Sequence, residues 1–302
     1  MVPETHLKGR VTTMHIGLIG CGNMGGGMGA QLLANGRSLT CYDPNPDTLA
    51  KMAELGAEPA ASPTALARVA DIIILSLPKA SVVDAVMREM LPDIQDGAIV
   101  LDTSTSEPVT SQAMAKLGDA QGFSFVDGPV SGGPAAANSG TMTMLLGGSL
   151  DAIARLRPTL EILTAKTVTV GGSGAGHAAK IANNMLCAAN LVLVGEAVRL
   201  GKAAGVDPEY LLEGINAGSG RSGVSEVNFP KWVLNDAFDS GFTMGLMRKD
   251  VGLALDLAKA SDVDISGFSG IADIWLNASR DVPDSADFNE IVKFDGKETQ
   301  DV

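Results

Sequence analysis

The sequence predicts an α/β fold: a doubly wound, mostly parallel sheet over residues 14–175, followed over residues 176–302 by a long helix and an all-α second domain. Three observations carry this. An apolar run, Ile16 to Ile19, breaks at Gly20, Gly22 and Gly25 and passes into a small-residue amphipathic segment, as a buried strand does when it hands over to a helix. Short apolar runs then alternate with helix-length stretches as far as Val170, and from Ala175 to Ala204 the chain is rich in Ala, Leu, Val and Met with no Pro.

Taken in order, Ile16–Ile19, Leu39–Tyr42, Ile72–Leu77, Ala98–Leu101 and Phe123–Val126 read as strands, and Thr141–Leu146 and Thr167–Val170 follow around a helix near 150–163. The first five runs end in Gly20, Asp43, Pro78, AspThrSerThr (102–105) and AspGlyProValSerGlyGly (127–133). In an open parallel sheet the ligand crevice lies outside the carboxyl ends of the strands, so these Gly, Pro and hydroxyl clusters should share one edge. Thirty helical residues from Ala175 would run about 45 Å at 1.5 Å each. A helix apolar all round is a buried one, so this stretch reads as the spine of the second domain, covered by helices near 207–217, 225–236, 243–260 and 266–279.

The glycine turn points to a dinucleotide. Gly20 permits the turn, Gly22 lets the backbone approach a pyrophosphate, Gly25 lets helix and strand pack, and the pyrophosphate sits on the helix N-terminus. Asp43 lies eighteen residues beyond Gly25, where an acidic side chain takes the ribose hydroxyls. No Arg follows it to receive a 2′-phosphate, which favours NAD over NADP.

Composition removes other classes. A formal net charge of -13 argues against nucleic acid or an anionic membrane as partner. Cys21, Cys41 and Cys187 form no CxxC and have no adjacent His, so neither a disulfide framework nor a metal site is indicated, and a reducing cytoplasm fits. The first thirteen residues read as a polar leader with Met14 a second possible start, and Lys180, Asn183, Asn184 and Asn190 argue against a membrane span in the long helix.

His177, Lys180 and Asn184, spaced by three and four, share a helix face. A Lys buried there has its basicity lowered by desolvation and can exchange a proton with a substrate hydroxyl, which Asn184 can bond; His177 reads as structural. Ser131, Gly132 and Gly133 offer a hydroxyl and successive backbone N–H groups to a carboxylate, or form an ordinary tight turn. Lys249 and Asp250, within an apolar helix, read equally as a structural ion pair or a functional one.

IGLIGCGNMGGGM, LDTSTSEP, DGPVSGGPAAANSGTM, GAGHAAKIANN and RKDVGLAL, in this order over residues 16–255, resemble the β-hydroxyacid dehydrogenases, a family that includes 3-hydroxyisobutyrate dehydrogenase and tartronate semialdehyde reductase. The resemblance implies an N-terminal Rossmann domain, a long interdomain helix, a helical C-terminal domain and a homodimer or homotetramer. It makes Lys180 the catalytic lysine, Asn184 a substrate-binding residue and Ser131, Gly132 and Gly133 the carboxylate motif. Gly20, Gly22, Asn23, Met24, Gly25, Asp43, Leu77, Pro78 and Thr105 become cofactor contacts, with Lys249 beside both nicotinamide and substrate. Ala136 stands where the family usually has Gly, placing an extra methyl near the substrate loop.

The implied substrate is a small anionic 3-hydroxy acid, oxidised with NAD: 3-hydroxyisobutyrate first, with tartronate semialdehyde, other short 3-hydroxy acids and sulfonate analogues as alternatives. AlaGlySerGlyArgSerGly (217–223) looks like the loop that approaches substrate in 3-hydroxyisobutyrate dehydrogenases, and its Arg221 reads either as a carboxylate ligand or as a solvated loop side chain. A 6-phosphogluconate-type enzyme would carry a His after the lysine, where this chain has IleAlaAsnAsn. An imine reductase usually lacks the lysine, and a non-catalytic NAD-binding sensor would have lost Lys180, Asn184 and SerGlyGly, all of which are present.

Overall fold

The structure, a computed structural model, describes residues 14–294, so the polar leader lies outside the described residues. Two compact units are present: one ends at Ser104 and resumes over Val109–Ser173, and the other comprises Thr105–Pro108 and the chain from Gly174 onward.

In the first unit the strands are β1 (Ile16–Ile19), β2 (Leu39–Tyr42), β3 (Glu58–Pro59), β4 (Ile72–Leu75), β5 (Ile99–Asp102), β6 (Ser124–Asp127), β7 (Val130–Ser131), β8 (Met142–Gly147) and β9 (Thr164–Gly171). The sheet order is β3-β2-β1-β4-β5-β6-β8-β7, with β9 also paired to β8. From β3 to β6 every pairing is parallel, β8 runs antiparallel to β6 and β7, and β9 is parallel to β8. This is the doubly wound, mostly parallel Rossmann arrangement. Strands β1, β4 and β5 are buried at every residue, as continuous Ile, Val and Leu runs require when helices cover both faces.

Helices α1 (Asn23–Ala34), α2 (Pro46–Glu54), α3 (Pro63–Ala67), α4 (Ala80–Met90) and α5 (Pro108–Gln121) connect the parallel strands, and α6 (Gly133–Ser139) and α7 (Leu150–Leu163) follow. Their starts are legible chemistry. Asn45, Ser62 and Ser149 each accept a hydrogen bond from a first-turn N–H, and Pro sits in the first turn of α2 and α3.

Local expectations needed correction. The third predicted strand stops at Leu75, leaving Leu77 and Pro78 in the loop, and the last strand starts three residues earlier than expected, at Thr164. The SerGlyGly stretch, expected as a loop, is the end of a two-residue strand and the start of α6, because β7 pairs with β8 through Ser131 and Thr143.

The second unit is all helical apart from an isolated bridge: α8 (Ala175–Ala203), α9 (Pro208–Ala217), a π-helix over Val224–Val233, α10 (Met244–Ala260) and α11 (Ser266–Asn277), with short 3-10 turns after it. The helix expected near 225–236 is instead a π-helix over Val224–Val233, whose hydrogen bonds take the wider pattern, with Pro230 inside. By length and composition α8 could cross a membrane, yet Ile181, Ala188, Leu191, Val192 and Val194 belong to this unit's core. Burial on every face does not hold. Leu186, Leu193 and Leu200, seven residues apart and so on one stripe of the helix, are 58%, 51% and 74% exposed.

Trp275 is the largest fully buried side chain here, and its indole N–H donates to the Ala188 carbonyl of α8 at 3.1 Å. Trp275→Ala should therefore cost about 3–5 kcal/mol by leaving a cavity between α11 and α8. A chemical-denaturation midpoint close to wild type would contradict this account of the core.

Candidate active site

Register places the carboxyl ends of the parallel strands side by side, pairing Ile19 with Tyr42 and Leu75, Leu75 with Asp102, and Asp102 with Asp127. Gly20, Asp43, Ser76, Thr103 and Gly128 therefore follow one another along a single edge of the sheet. The turn after β1 uses its glycines for separate reasons. Gly20 has φ +90°, and a Cβ there would lie 2.2 Å from the Ser76 carbonyl oxygen. A Cβ on Gly25 would lie 1.8 Å from the Gly20 carbonyl, so only a glycine lets α1 pack against β1. At Gly22 a Cβ would meet nothing within 4 Å. The protein itself does not need glycine there, and the vacant approach suits a ligand.

Helix α1 begins at Asn23 with exposed Gly22 as its N-cap, and neither a capping side chain nor an acidic first-turn residue competes for its free N–H groups. Asp43 is bound to the same turn: Oδ2 accepts from the Cys21 N–H at 2.8 Å and Oδ1 from the Asn45 N–H at 2.9 Å. Across the edge, the Leu77 N–H donates to Ser104 Oγ at 2.9 Å, and exposed Pro78 follows. Half-buried Met24 packs against the core under α1. An open helix N-terminus, a glycine with space above it and a fixed acidic side chain together fit a dinucleotide.

Two cysteines far apart in sequence meet at this turn. Cys21, between Gly20 and Gly22, donates its thiol to the Tyr42 carbonyl at 3.8 Å, and the influence of the Cys41 thiol together with burial pushes the Cys21 thiol up while Cys21 holds Cys41 down. Both are free thiols. Among the described residues no group of three or more His, Cys, Asp or Glu is placed to hold a metal ion.

Ser131, Gly132 and Gly133 stand where β7 turns into α6. Gly132 has φ +120° and Gly133 φ +65°, left-handed values that favour glycine at both positions. A Cβ on Gly132 would lie 2.5 Å from the Ala136 Cβ. The extra methyl of Ala136 thus packs under Gly132 and against the sheet core.

The second unit assembles the charged residues. After Gly174, in the left-handed region at φ +88°, α8 buries His177, Lys180 and Asn184 on one face. Lys180 is 7% exposed; burial pushes its ammonium below the ordinary lysine range, and the Asp250 carboxylate opposes that shift. Asp250, on α10 and 2% exposed, accepts from Asn184 Nδ2 through Oδ2 at 2.5 Å. Its Oδ1 lies 3.1 Å from Lys249 Nζ, which also donates to the Thr105 carbonyl at 3.3 Å. Cys187, two turns along α8 from Lys180, is pushed up to about 11, chiefly by burial. Asn184 and Lys249 thereby meet at Asp250, whose charge also acts on Lys180; the spacing of the sequence left the Lys249–Asp250 pair ambiguous.

Arg221 is exposed and lies 3.7 Å from Glu226, an ordinary surface pair. Its loop is held from behind: Ser225 Oγ donates to Asn216 Oδ1 at 2.6 Å, and the Ser222 N–H donates to Ser225 Oγ at 2.9 Å.

Comparison with known proteins gives the family. Residues 15–172 match the family model described as the NAD binding domain of 6-phosphogluconate dehydrogenase, and residues 174–294 match the NAD-binding domain of NADP-dependent 3-hydroxyisobutyrate dehydrogenase. The chain belongs to the β-hydroxyacid dehydrogenase family. Among β-hydroxyacid dehydrogenases, it is 35% identical to 2-(hydroxymethyl)glutarate dehydrogenase of Eubacterium barkeri over 84% of this chain and 85% of that one. It is 37% identical to mitochondrial 3-hydroxyisobutyrate dehydrogenase of Mus musculus over 83% of this chain and 77% of that one. A solved structure of Mycobacterium tuberculosis 3-hydroxyisobutyrate dehydrogenase with L-serine superposes with a TM-score of 0.88 at 30% identity, covering 93% and 98% of the two chains. This β-hydroxyacid dehydrogenase is an NAD-binding oxidoreductase acting on a small hydroxy acid.

The space above Gly22 yields a direct test. Gly22→Ala should leave the melting temperature unchanged, since the added methyl touches no protein atom, while weakening NAD binding by about tenfold or more, the loss equivalent to ~1.4 kcal/mol. Calorimetric titration with NAD checks it; undiminished affinity would show that the dinucleotide does not approach there.

Proposed function

We propose that this enzyme oxidises a short 3-hydroxy acid with NAD, 3-hydroxyisobutyrate to methylmalonate semialdehyde being the first reaction to test. The observation that carries the reading is Lys180: a buried lysine whose basicity is lowered by desolvation, on the same helix face as a buried asparagine. A wider group of short or branched 3-hydroxy acids is the second reading, favoured by the similarity to a 2-(hydroxymethyl)glutarate dehydrogenase.

Neutral Lys180 accepts the proton of the substrate hydroxyl as the carbonyl forms. Asn184 donates to the same oxygen. The Ser131 hydroxyl and the backbone N–H groups of Gly132 and Gly133 receive the carboxylate, and Lys249 adds positive charge for the anion in a chain whose net charge is -13. When bound, the nicotinamide supplies the hydride acceptor. Gly20, Gly22, Asn23, Met24 and Gly25 hold the pyrophosphate side of the cofactor, with Leu77, Pro78 and Thr105 as further contacts. Asp43, held toward the α1 turn by Cys21 N–H, takes the ribose hydroxyls and disfavours a 2′-phosphate. A homodimer or homotetramer is the expected assembly, and the exposed Leu186, Leu193 and Leu200 supply apolar surface for it.

The decisive experiment is a screen of short 3-hydroxy acids with NAD and NADP, run beside Lys180→Ala, which should lose about 10²–10⁴-fold in kcat. Oxidation of none of the acids by wild type, or full activity in the variant, would overturn the reading. Because oxidation needs neutral Lys180, its rate should rise with pH through the lowered lysine value, while reduction, which needs the ammonium, should fall over the same interval. Asp43→Ala should weaken NAD and narrow the preference over NADP; an unaltered ratio of the two kcat/KM values would remove Asp43 as the reader of the ribose.

A further inference from the structure

We propose that Asp250 is the positioning residue of the lysine–asparagine pair: its carboxylate orients the Asn184 amide so that one N–H remains to donate to the reacting oxygen, and supplies the charge against which the Lys180 ammonium is stabilised. The inference rests on the reaction proposed above.

The Asn184 amide is committed at both ends. Nδ2 donates to Asp250 Oδ2 at 2.5 Å, and Oδ1 accepts from Asn183 Nδ2 at 3.0 Å. A carboxylate cannot donate, so the amide end facing Asp250 must be the NH2 group, and the flipped orientation would set two acceptors against each other in a buried place. One amide hydrogen is left. Asn184 thus presents a donor, suited to a carbonyl or developing oxyanion.

Asp250 also faces the lysines. Lys249 Nζ lies 3.1 Å from Oδ1, and Asp250 is the largest influence raising Lys180 against desolvation, with Cys187 raising it further and Lys249 lowering it. These are the titratable groups acting on Lys180 from α8 and α10, and His177 lies one turn earlier on the same face of α8. A purely structural ion pair needs only Lys249. The short bond to Asn184 and the charge acting on Lys180 are what such a pair would not require.

The test titrates the full-length protein carrying ¹³C-labelled lysine, with the Lys180 resonance assigned by its loss in Lys180→Ala. Asp250→Asn removes the charge with little change of shape and should move the Lys180 midpoint down by about 1 unit, the size expected from losing an opposite charge close by. Asp250→Glu retains the charge and should keep the midpoint within about 0.3 units while lowering kcat more than it raises KM, because the lengthened side chain misplaces Asn184. A midpoint unmoved in Asp250→Asn, or moved as far in Asp250→Glu, overturns the proposal. Should Asp250→Asn not fold, the wild type still decides: one Asn184 side-chain N–H should exchange with solvent at least about tenfold more slowly than the other, and equal exchange overturns the proposed orientation. Both titration and exchange are read without turnover. A wild type that oxidises no hydroxy acid would sink the reaction, whereas an unmoved midpoint would sink the role of Asp250.

Discussion

Burying an ammonium group in a helical core is the constraint from which the second unit's chemistry follows. Lys180 cannot be left alone there, because desolvation of an isolated charge costs several kcal/mol and would otherwise keep it neutral. The neighbouring helix answers with Asp250, and Asp250 in turn needs partners, which Asn184 and Lys249 supply. The outcome is a lysine whose basicity is lowered by burial and partly restored by the Asp250 carboxylate. A lowered basicity is what a lysine needs to take a proton from a substrate hydroxyl.

Burial also explains why the surrounding helices are constructed as they are. Trp275 ties α11 to the carbonyl of Ala188, and Arg248, beside the ion pair on α10, donates to the Trp275 and Val282 carbonyls at 3.0 and 2.7 Å. The helix carrying Asp250 is thus tied through α11 to the helix carrying Lys180. A shift of one helix along the other would lengthen the Asn184 bond and weaken the charge pairing together, so packing accuracy and proton chemistry are coupled.

In the first unit the equivalent constraint is the approach of α1 to β1. Gly25 is required by the Gly20 carbonyl and Gly20 by its left-handed φ and by the Ser76 carbonyl, whereas Gly22 answers to no protein atom. Protein packing therefore accounts for two glycines of the three, and the third faces open space, where the proposed dinucleotide would approach. The bond from the Cys21 thiol to the Tyr42 carbonyl was invisible in the sequence because parallel pairing, rather than chain proximity, brings the turn after β1 to β2.

Much of the fold could be read from local pattern: continuous apolar runs for buried parallel strands, Asn and Ser caps for helix starts, and a long Pro-free stretch for α8. These signals are short-range, so a single chain of residues contains them whole. Where pairing partners decide, the pattern misled. Val130–Ser131 became a strand only because β8 lies beside it, and α8 kept an exposed leucine stripe that its composition alone could not distinguish from a buried one. The site divides the same way. Spacing along one helix was enough to put Lys180 and Asn184 on a common face, and the glycine pattern with Asp43 was enough to indicate a dinucleotide, since both rest on the fixed periodicity and turn preferences of the backbone. Asp250 lies sixty-six residues from Asn184, and no periodicity relates two helices at that distance. Only their packing decided that its carboxylate faces the asparagine and acts on the lysine, because the cost of burying charge selects its partners in space.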